Sequence, residues 1–246
     1  MGNMTLQQPR TVLVTGGARG IGRAICAEFG RAGWRVGIHY RTRQEDAERT
    51  VAEVHRAGGE GLACQADLRQ GSEVHGMIRE VLTKWDRMDV LICNAGIAPG
   101  ALLLRLSDKD WEEAVRTNLS GAFHCLQAVG THMVARGEGA IVLIGSFAAA
   151  HGRTGQAAYA ASKAGLIGLM RTAAVEWGDR NIRVNMILPG WHKTELSEAA
   201  MRREDVFSDH LVKTTPDVED VARSVYHLAL LPGVSGQIWN LDSRLL

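Results

Sequence analysis

The chain predicts an α/β fold in which a doubly wound parallel sheet of about seven strands carries helices on both faces. Three observations lead there. Short apolar runs alternate with longer amphipathic segments from one end to the other. The short runs are apolar at successive positions rather than alternate ones. The 246 residues are 46% hydrophobic, enough for one sizeable core, and no linker, repeat or low-complexity stretch divides them. A strand that is apolar on both faces needs cover on both sides, which helices between parallel strands provide.

The elements follow in order. Thr11–Thr15 (TVLVT) is expected as a buried strand, and Ile21–Ala32 as a helix closed by Gly33. Arg35–His39 is a second strand, Glu45–Ala57 a helix ended by Gly58 and Gly59, and Gly61–Gln65 a third strand. Ser72–Trp85 is a helix and Asp89–Cys93 (DVLIC) a fourth strand. Ser107-Asp108-Lys109-Asp110 has capping character before a helical region reaching about Ala135. Ala140–Gly145 is a fifth strand. Gln156–Trp177, rich in small residues, is a long helix suited to close packing, and Ile182–Ile187 is a sixth strand. Asp217–Leu231 is a helix and Gln237–Leu241 the last strand. The stretch from Trp191 to Thr215 is polar and weakly periodic, and it interrupts the alternation. An insertion just after a strand is where a substrate lid is expected. Residues 1–246 are therefore expected to form one domain, with 191–215 as its insertion.

Composition narrows the function classes. With 28 basic and 27 acidic residues, scattered rather than blocked, a nucleic-acid partner is not expected. Cys26, Cys64, Cys93 and Cys125 lack C-x-x-C spacing and sit in apolar surroundings, as buried thiols of a reducing compartment do. The first ten residues have no apolar core for a secretory signal, Leu6 spoils a myristoylation motif, and no run of 18 apolar residues exists. A cytoplasmic location is the expectation. No metal-ligand spacing is present.

Thr15-Gly16-Gly17-Ala18-Arg19-Gly20-Ile21-Gly22 joins the first strand to the first helix. Glycines there allow a tight turn and let a pyrophosphate approach backbone N–H groups at a helix N-terminus. The spacing is G-x-x-x-G-x-G, and an ordinary tight turn would also account for it. The second strand ends Ile38-His39-Tyr40-Arg41-Thr42-Arg43, with no carboxylate before Glu45. Sites for NAD usually place an acid there for the ribose 2′-hydroxyl. Arg41 and Arg19 suit a 2′-phosphate instead, so NADP is expected.

Tyr159-Ala160-Ala161-Ser162-Lys163 places a phenol and an ammonium one turn apart on one helix face. An ammonium favours the phenolate and lowers a pKa of about 10, which would ready the tyrosine for proton exchange with a carbonyl or alcohol oxygen. A surface Tyr–Lys pair would look the same in isolation.

The glycine turn, Asn94-Ala95-Gly96, Ser146, Tyr159-x-x-x-Lys163 and Pro189-Gly190 together resemble the short-chain dehydrogenases/reductases, in order and spacing across almost the whole chain. The turn sequence and the segment Gln156–Gly165 bring the resemblance nearest to the β-ketoacyl-acyl-carrier-protein reductases. The resemblance implies a Rossmann-type domain with Asn118, Ser146, Tyr159 and Lys163 as the catalytic set. It implies that Tyr159 donates a proton to the substrate oxygen, Ser146 hydrogen-bonds that oxygen, Lys163 lowers the tyrosine pKa and holds the nicotinamide ribose, and Asn118 holds a relay water. It places the cofactor against Gly16, Ala18, Arg19, Gly20, Ile21, Gly22, Tyr40 and Arg41. Asp67 and Leu68 would flank the adenine, Asn94, Ala95 and Gly96 the ribose, and Pro189, Gly190 and Thr194 the nicotinamide. Singly, Asn118 reads equally as a helix kink, Ser146 as a turn residue and Asp67 as a cap.

The expected reaction is NADPH-dependent reduction of a ketone, a 3-oxoacyl thioester first, with acyl carrier protein as a partner. A dehydrogenase of a sugar alcohol, steroid or small secondary alcohol shares the catalytic set. A non-catalytic NADP-binding regulator is the reading of another class. Arg180 and Arg136 stand near positions where carrier-contacting arginines are found, and both also read as solvated charges. His151, Arg153 and His192 adjoin the active-site segments. The family's closing strand runs into Asp-Gly-Gly or Asn-Gly-Gly, whereas this chain has Asp242-Ser243-Arg244. The resemblance further implies a homotetramer, with the helices holding Asn118–Val129 and Gln156–Trp177 at its dimer interface.

Overall fold

The computed structural model describes residues 9–192, 210–214 and 216–245. Seven strands form one parallel sheet: β1 (Thr11–Val14), β2 (Arg35–Tyr40), β3 (Glu60–Gln65), β4 (Val90–Cys93), β5 (Gly139–Ile144), β6 (Ile182–Leu188) and β7 (Ile238–Asn240). Their spatial order is β3-β2-β1-β4-β5-β6-β7, with every pair parallel. Helices α1 (Gly20–Arg31), α2 (Gln44–Ala57), α3 (Gly71–Trp85), α4 (Asp108–Ala114), α5 (Gly121–Arg136), α6 (Ala148–His151), α7 (Ala157–Trp177) and α8 (Val218–Leu230) supply the crossovers and cover. The expected fold class and every expected strand are present, with ends shifted by a residue or two.

The period-2 alternation of each central strand divides its side chains between two cores. Leu13, Leu91, Ile141 and Leu143 pack with Met77, Val81, Leu126, Met133, Leu166 and Met170 on the face of α3, α5 and α7. Val12, Val14, Val36, Ile38, Ile92 and Val142 pack with Ile25, Phe29, Val54, Val225 and Leu228 on the face of α1, α2 and α8. On that second face Phe29 makes edge-to-face contacts at 5.0 Å with both Trp34 and Tyr226, locking α1 to α8.

The sheet order reverses between β1 and β4. The exits of those two strands diverge around a crevice, the place where open α/β sheets bind ligands. The region expected as one helix from Asp108 to about Ala135 is instead interrupted. Val115–Ser120 forms a π-helical segment between α4 and α5, and such bulges recur at functional sites. Small residues let α7 approach it, as expected of that helix: a Cβ on Gly165 would lie 2.7 Å from Leu119 Cδ2. The insertion expected over 191–215 falls mostly outside the described residues.

The opposite end of the sheet is tied by Asp89, which is buried. Its carboxylate accepts the Thr11 N–H at 2.7 Å, Arg87 Nε at 2.9 Å and Arg136 Nη2 at 3.4 Å. Arg136 is thus a brace of the sheet. Arg180 is exposed beside Asp179.

Burial opposes ionisation of Asp89, but the Arg87 guanidinium, the Thr11 amide and Arg136 prevail and hold its pKa below the ordinary carboxylate value. The stabilisation is therefore present above about pH 4 and fades as pH falls through the folded value. Asp89→Ala is expected to cost about 3 kcal/mol at pH 7. Urea unfolding should show the wild-type advantage shrinking on acidification below pH 4, and a loss under about 0.5 kcal/mol at pH 7, the size of an ordinary surface substitution, would remove Asp89 from this role.

Candidate active site

The crevice begins at the glycine turn. Gly16 and Gly20 have φ of +63° and +52°, which side chains resist. Gly22 can be nothing larger, because a Cβ there would lie 2.2 Å from the Gly16 carbonyl oxygen. The turn delivers the N-terminus of α1 to the crevice with no side-chain cap from Arg19. Exposed N–H groups with the positive end of the helix dipole suit a pyrophosphate.

Asn94 fastens the turn to β4, donating from Nδ2 to the carbonyls of Thr15 at 3.0 Å and Gly16 at 3.2 Å. Thr15 Oγ1 in return accepts the amides of Asn94 at 2.9 Å and Ala95 at 3.0 Å.

The crevice is lined by every expected cofactor residue from Gly16 to Gly96: Gly16, Ala18, Arg19, Gly20, Ile21, Gly22, Tyr40, Arg41, Asp67, Leu68, Asn94, Ala95 and Gly96. Pro189 and Gly190 stand apart from this wall, at the exit of β6. Thr194 lies outside the described residues. Asp67 faces the crevice, but its carboxylate is engaged by Arg69 Nε at 2.9 and 3.0 Å and by the Arg69 amide at 3.0 Å. Arg69 depresses the Asp67 pKa, with burial opposing.

His39, Thr42, Arg43, Ala66, Ile97 and Thr117 also line the crevice and were not foreseen. His39 carries the most structural weight. Its Nδ1 accepts the Gly16 N–H at 2.9 Å, so Nε2 bears the proton and donates to the Ala66 carbonyl at 3.0 Å. One buried imidazole thereby joins the exits of β1, β2 and β3. Burial lowers its pKa to about 4, so it is neutral at physiological pH. The available signal was its place at the apolar end of a buried strand, where a histidine must find partners.

At the far end, Asn118 lies in the π-helical segment, 1% exposed. Its Oδ1 accepts the Ile97 N–H at 2.8 Å, and Nδ2 donates to the Ile97 carbonyl and Ser162 Oγ, both at 2.9 Å. Ser162 Oγ donates onward to the Tyr159 carbonyl at 2.7 Å.

Lys163 is buried beneath this network and donates to the Ile144 carbonyl at 2.7 Å. Its Nζ is 5.8 Å from the Tyr159 ring centroid. Gly96 links the crevice to the group, since a Cβ there would sit 3.2 Å from Asn118 Oδ1 and 3.6 Å from Lys163 Nζ. Ser146, just beyond β5, is hydrogen-bonded to the Tyr159 hydroxyl, and its Oγ accepts the Ala148 amide at 3.2 Å. The structure thus brings together Asn118, Ser146, Tyr159 and Lys163 from three separate segments: the π-helical turn, the exit of β5 and α7.

The electrostatics depart from expectation. Burial raises the Tyr159 pKa above 10, and the Ser146 hydrogen bond only partly opposes it. Burial also lowers Lys163 to about 8, so the amine is a weakened cation rather than the dominant influence on the phenol. The physical reason is shared desolvation: a site dry enough to suppress the ammonium also suppresses the phenolate. The four cysteines are buried and free, and burial raises each thiol's pKa, which leaves them inert.

A family model described as short chain dehydrogenase matches residues 10–205. The 3-oxoacyl-acyl-carrier-protein reductase FabG of Staphylococcus epidermidis is 38% identical over 225 residues, covering 89% of this chain and 91% of that protein. The 3-oxoacyl-acyl-carrier-protein reductase of Synechocystis is 36% identical over 246 residues, covering 99% of each. The crystal structure of levodione reductase superimposes with a TM-score of 0.90 at 27% identity, over 95% of this chain and 96% of that one.

Removing a buried, partly suppressed charge should stabilise the ligand-free fold. Lys163→Met is expected to raise unfolding free energy by about 1–3 kcal/mol at pH 7. Between the folded value near 8 and the unfolded value near 10.4, the unfolded chain binds more protons, so wild-type stability climbs and the gap narrows. Denaturant titrations at pH 7 and pH 10 check the sign, and a destabilised variant at pH 7 would contradict it.

Proposed function

The chain belongs to the short-chain dehydrogenase family, and from that premise we propose that it is an NADPH-dependent reductase of 3-oxoacyl thioesters. Membership makes it an oxidoreductase that uses a nicotinamide cofactor. The observation that carries the reading is the continuity through Gly96 between the glycine-turn crevice and the Ser146, Tyr159, Lys163 group.

The choice of NADPH rests on charge. Arg19, Arg41 and Arg43 line the crevice where the ribose 2′-position would lie, and Asp67, the one acidic residue of its wall among the described residues, is paired with Arg69. Arg41 and Arg19 would hold a 2′-phosphate, and the α1 N-terminus the pyrophosphate. The bound nicotinamide supplies hydride.

Tyr159 gives its proton to the carbonyl oxygen. A phenol with a raised pKa is protonated at neutral pH, the state that reduction requires. Ser146 donates to the same oxygen and stabilises its developing charge. Lys163 would hold the nicotinamide ribose and stabilise the phenolate left behind. Asn118 holds the segment around Ile97 and connects to Tyr159 through Ser162, and it would position a relay water. Pro189 and Gly190 would border the nicotinamide.

Residues 1–246 are taken as one catalytic domain because every described strand joins one sheet. The acyl thioester and its carrier protein are inferred from the names of the bacterial and cyanobacterial relatives. Reduction of a small cyclic ketone is the second reading, favoured by the likeness to levodione reductase. Self-association, to a tetramer, would cover Phe123 on α5 and Val175 on α7, which are 44% and 83% exposed. Among the described residues no helix is long and apolar enough to cross a membrane. A cytoplasmic location is consistent with the proposal.

Purified protein should oxidise NADPH with acetoacetyl thioester, and a parallel panel of cyclic ketones separates the two substrate classes. Tyr159→Phe is expected to lower kcat by about 1000-fold while NADPH binding, read by calorimetry, stays within a few fold. Full activity in that variant would sink the proton-transfer role. Arg41→Ala should raise the KM for NADPH by about 10- to 100-fold and leave NADH unaffected. Equal changes with both cofactors would show that Arg41 does not read the phosphate.

A further inference from the structure

The C-terminal departure from the family pattern builds a buried ion pair against the active site. Arg244 Nε donates to Asp242 Oδ1 at 2.9 Å, Nη2 bonds Oδ2, and the Arg244 amide donates to Oδ1 at 3.0 Å. The two side chains are 7% and 0% exposed. The guanidinium carbon stands 3.8 Å from the centroid of the Phe147 ring. Phe147 follows Ser146 directly, and its ring also stacks on the His151 ring, at 4.3 Å and nearly parallel.

Asp242 reaches in two further directions. A Cβ on Gly190 would lie 3.0 Å from its Oδ2, and His210 Nε2 is 3.3 Å from its Oδ1. One pair therefore touches the Ser146–Phe147 turn, the β6 exit at Gly190 and the chain at 210. Arg244 stands where the family pattern seen in the sequence has a glycine, which could make none of the contacts to Phe147.

We propose that Arg244, oriented by Asp242, is a positioning residue that sets the Ser146–Phe147 turn relative to the β6 exit, and so the placement of the Ser146 hydroxyl beside Tyr159. The fit is physical. A guanidinium packed on an aromatic face and fixed by a bidentate carboxylate has little freedom, and it transmits that rigidity to the ring it covers. Misplacement of a reacting group by about 1 Å costs on the order of 100-fold in rate. The inference rests on the proposed reductase activity for its kinetic part and on packing alone for its structural part.

Arg244→Gly, which restores the family residue, tests it beside Arg244→Lys, Phe147→Leu and the Gly/Leu double variant. In Arg244→Gly, kcat is expected to fall about 10- to 100-fold with the KM for NADPH within twofold of wild type. Arg244→Lys should recover part of the loss, and the double variant should be no slower than the slower single one, because both single changes break one contact. Hydrogen exchange should quicken about tenfold or more at amides 146–151 and 190–192 in Arg244→Gly, with amides 15–22 unchanged. Unchanged exchange at 146–151, kcat within twofold of wild type, or losses that multiply in the double variant would each overturn the proposal. A wild-type protein inert toward every carbonyl, in which Arg244→Gly still loosens 146–151, would overturn the reductase reading and leave the Arg244–Phe147 contact standing.

Discussion

The burial of the Lys163 ammonium is the constraint on which the site depends. A charged amine in a dry interior is costly and needs a partner fixed by the fold. Here that partner is the carbonyl of Ile144, the last residue of β5. The bond sets the amine at the sheet's rim, close to Gly96 and below the tyrosine ring. A side chain on Gly96 would press on Asn118 Oδ1 and touch Lys163, so a bare backbone suits that crevice wall. The π-helical segment has a matching role. It sets Asn118 where one amide fixes Ile97 on one side and Ser162 on the other. Side chains from the turn after β5, from α7 and from the Asn118 segment are thus held by hydrogen bonds that packing alone would not specify.

Desolvation governs the chemistry more than pairing does. The phenol and the amine are each driven toward neutrality by burial. A neutral phenol is a competent acid, and an amine lowered only to about 8 keeps most of its charge at neutral pH. The same physics operates at His39, where burial keeps the imidazole neutral and so preserves the acceptor that holds Gly16. With His39 uncharged, the positive potential of the glycine-turn end comes from the α1 N-terminus and the arginines on its rim, which suits an anionic cofactor.

The two ends of the sheet divide the work. At one end Asp89 gathers Thr11, Arg87 and Arg136 into a charged brace. At the other, strand exits diverge and the loops line the crevice. The C-terminal Asp242–Arg244 pair extends that second end, giving the last residues of the chain a contact with the turn that bears Ser146.

The fold was legible in the sequence because its signals are local and redundant. Each strand is a short apolar run and each helix an amphipathic one, and the glycine turn lies between the first pair. The crevice residues from Gly16 to Gly96 and the Tyr159–Lys163 spacing were legible for the same reason, since turn geometry and helix periodicity act over a few residues. What tertiary structure alone decided concerns groups brought together from distant segments. The partners of His39, the π-helical turn at Asn118, the use of Arg136 on Asp89 and the stacking of Arg244 on Phe147 each join residues tens of positions apart. The direction of the Tyr159 shift belongs with them. Spacing puts a lysine near a tyrosine, but only the packed interior fixes how much water reaches either one, and that sets which influence prevails.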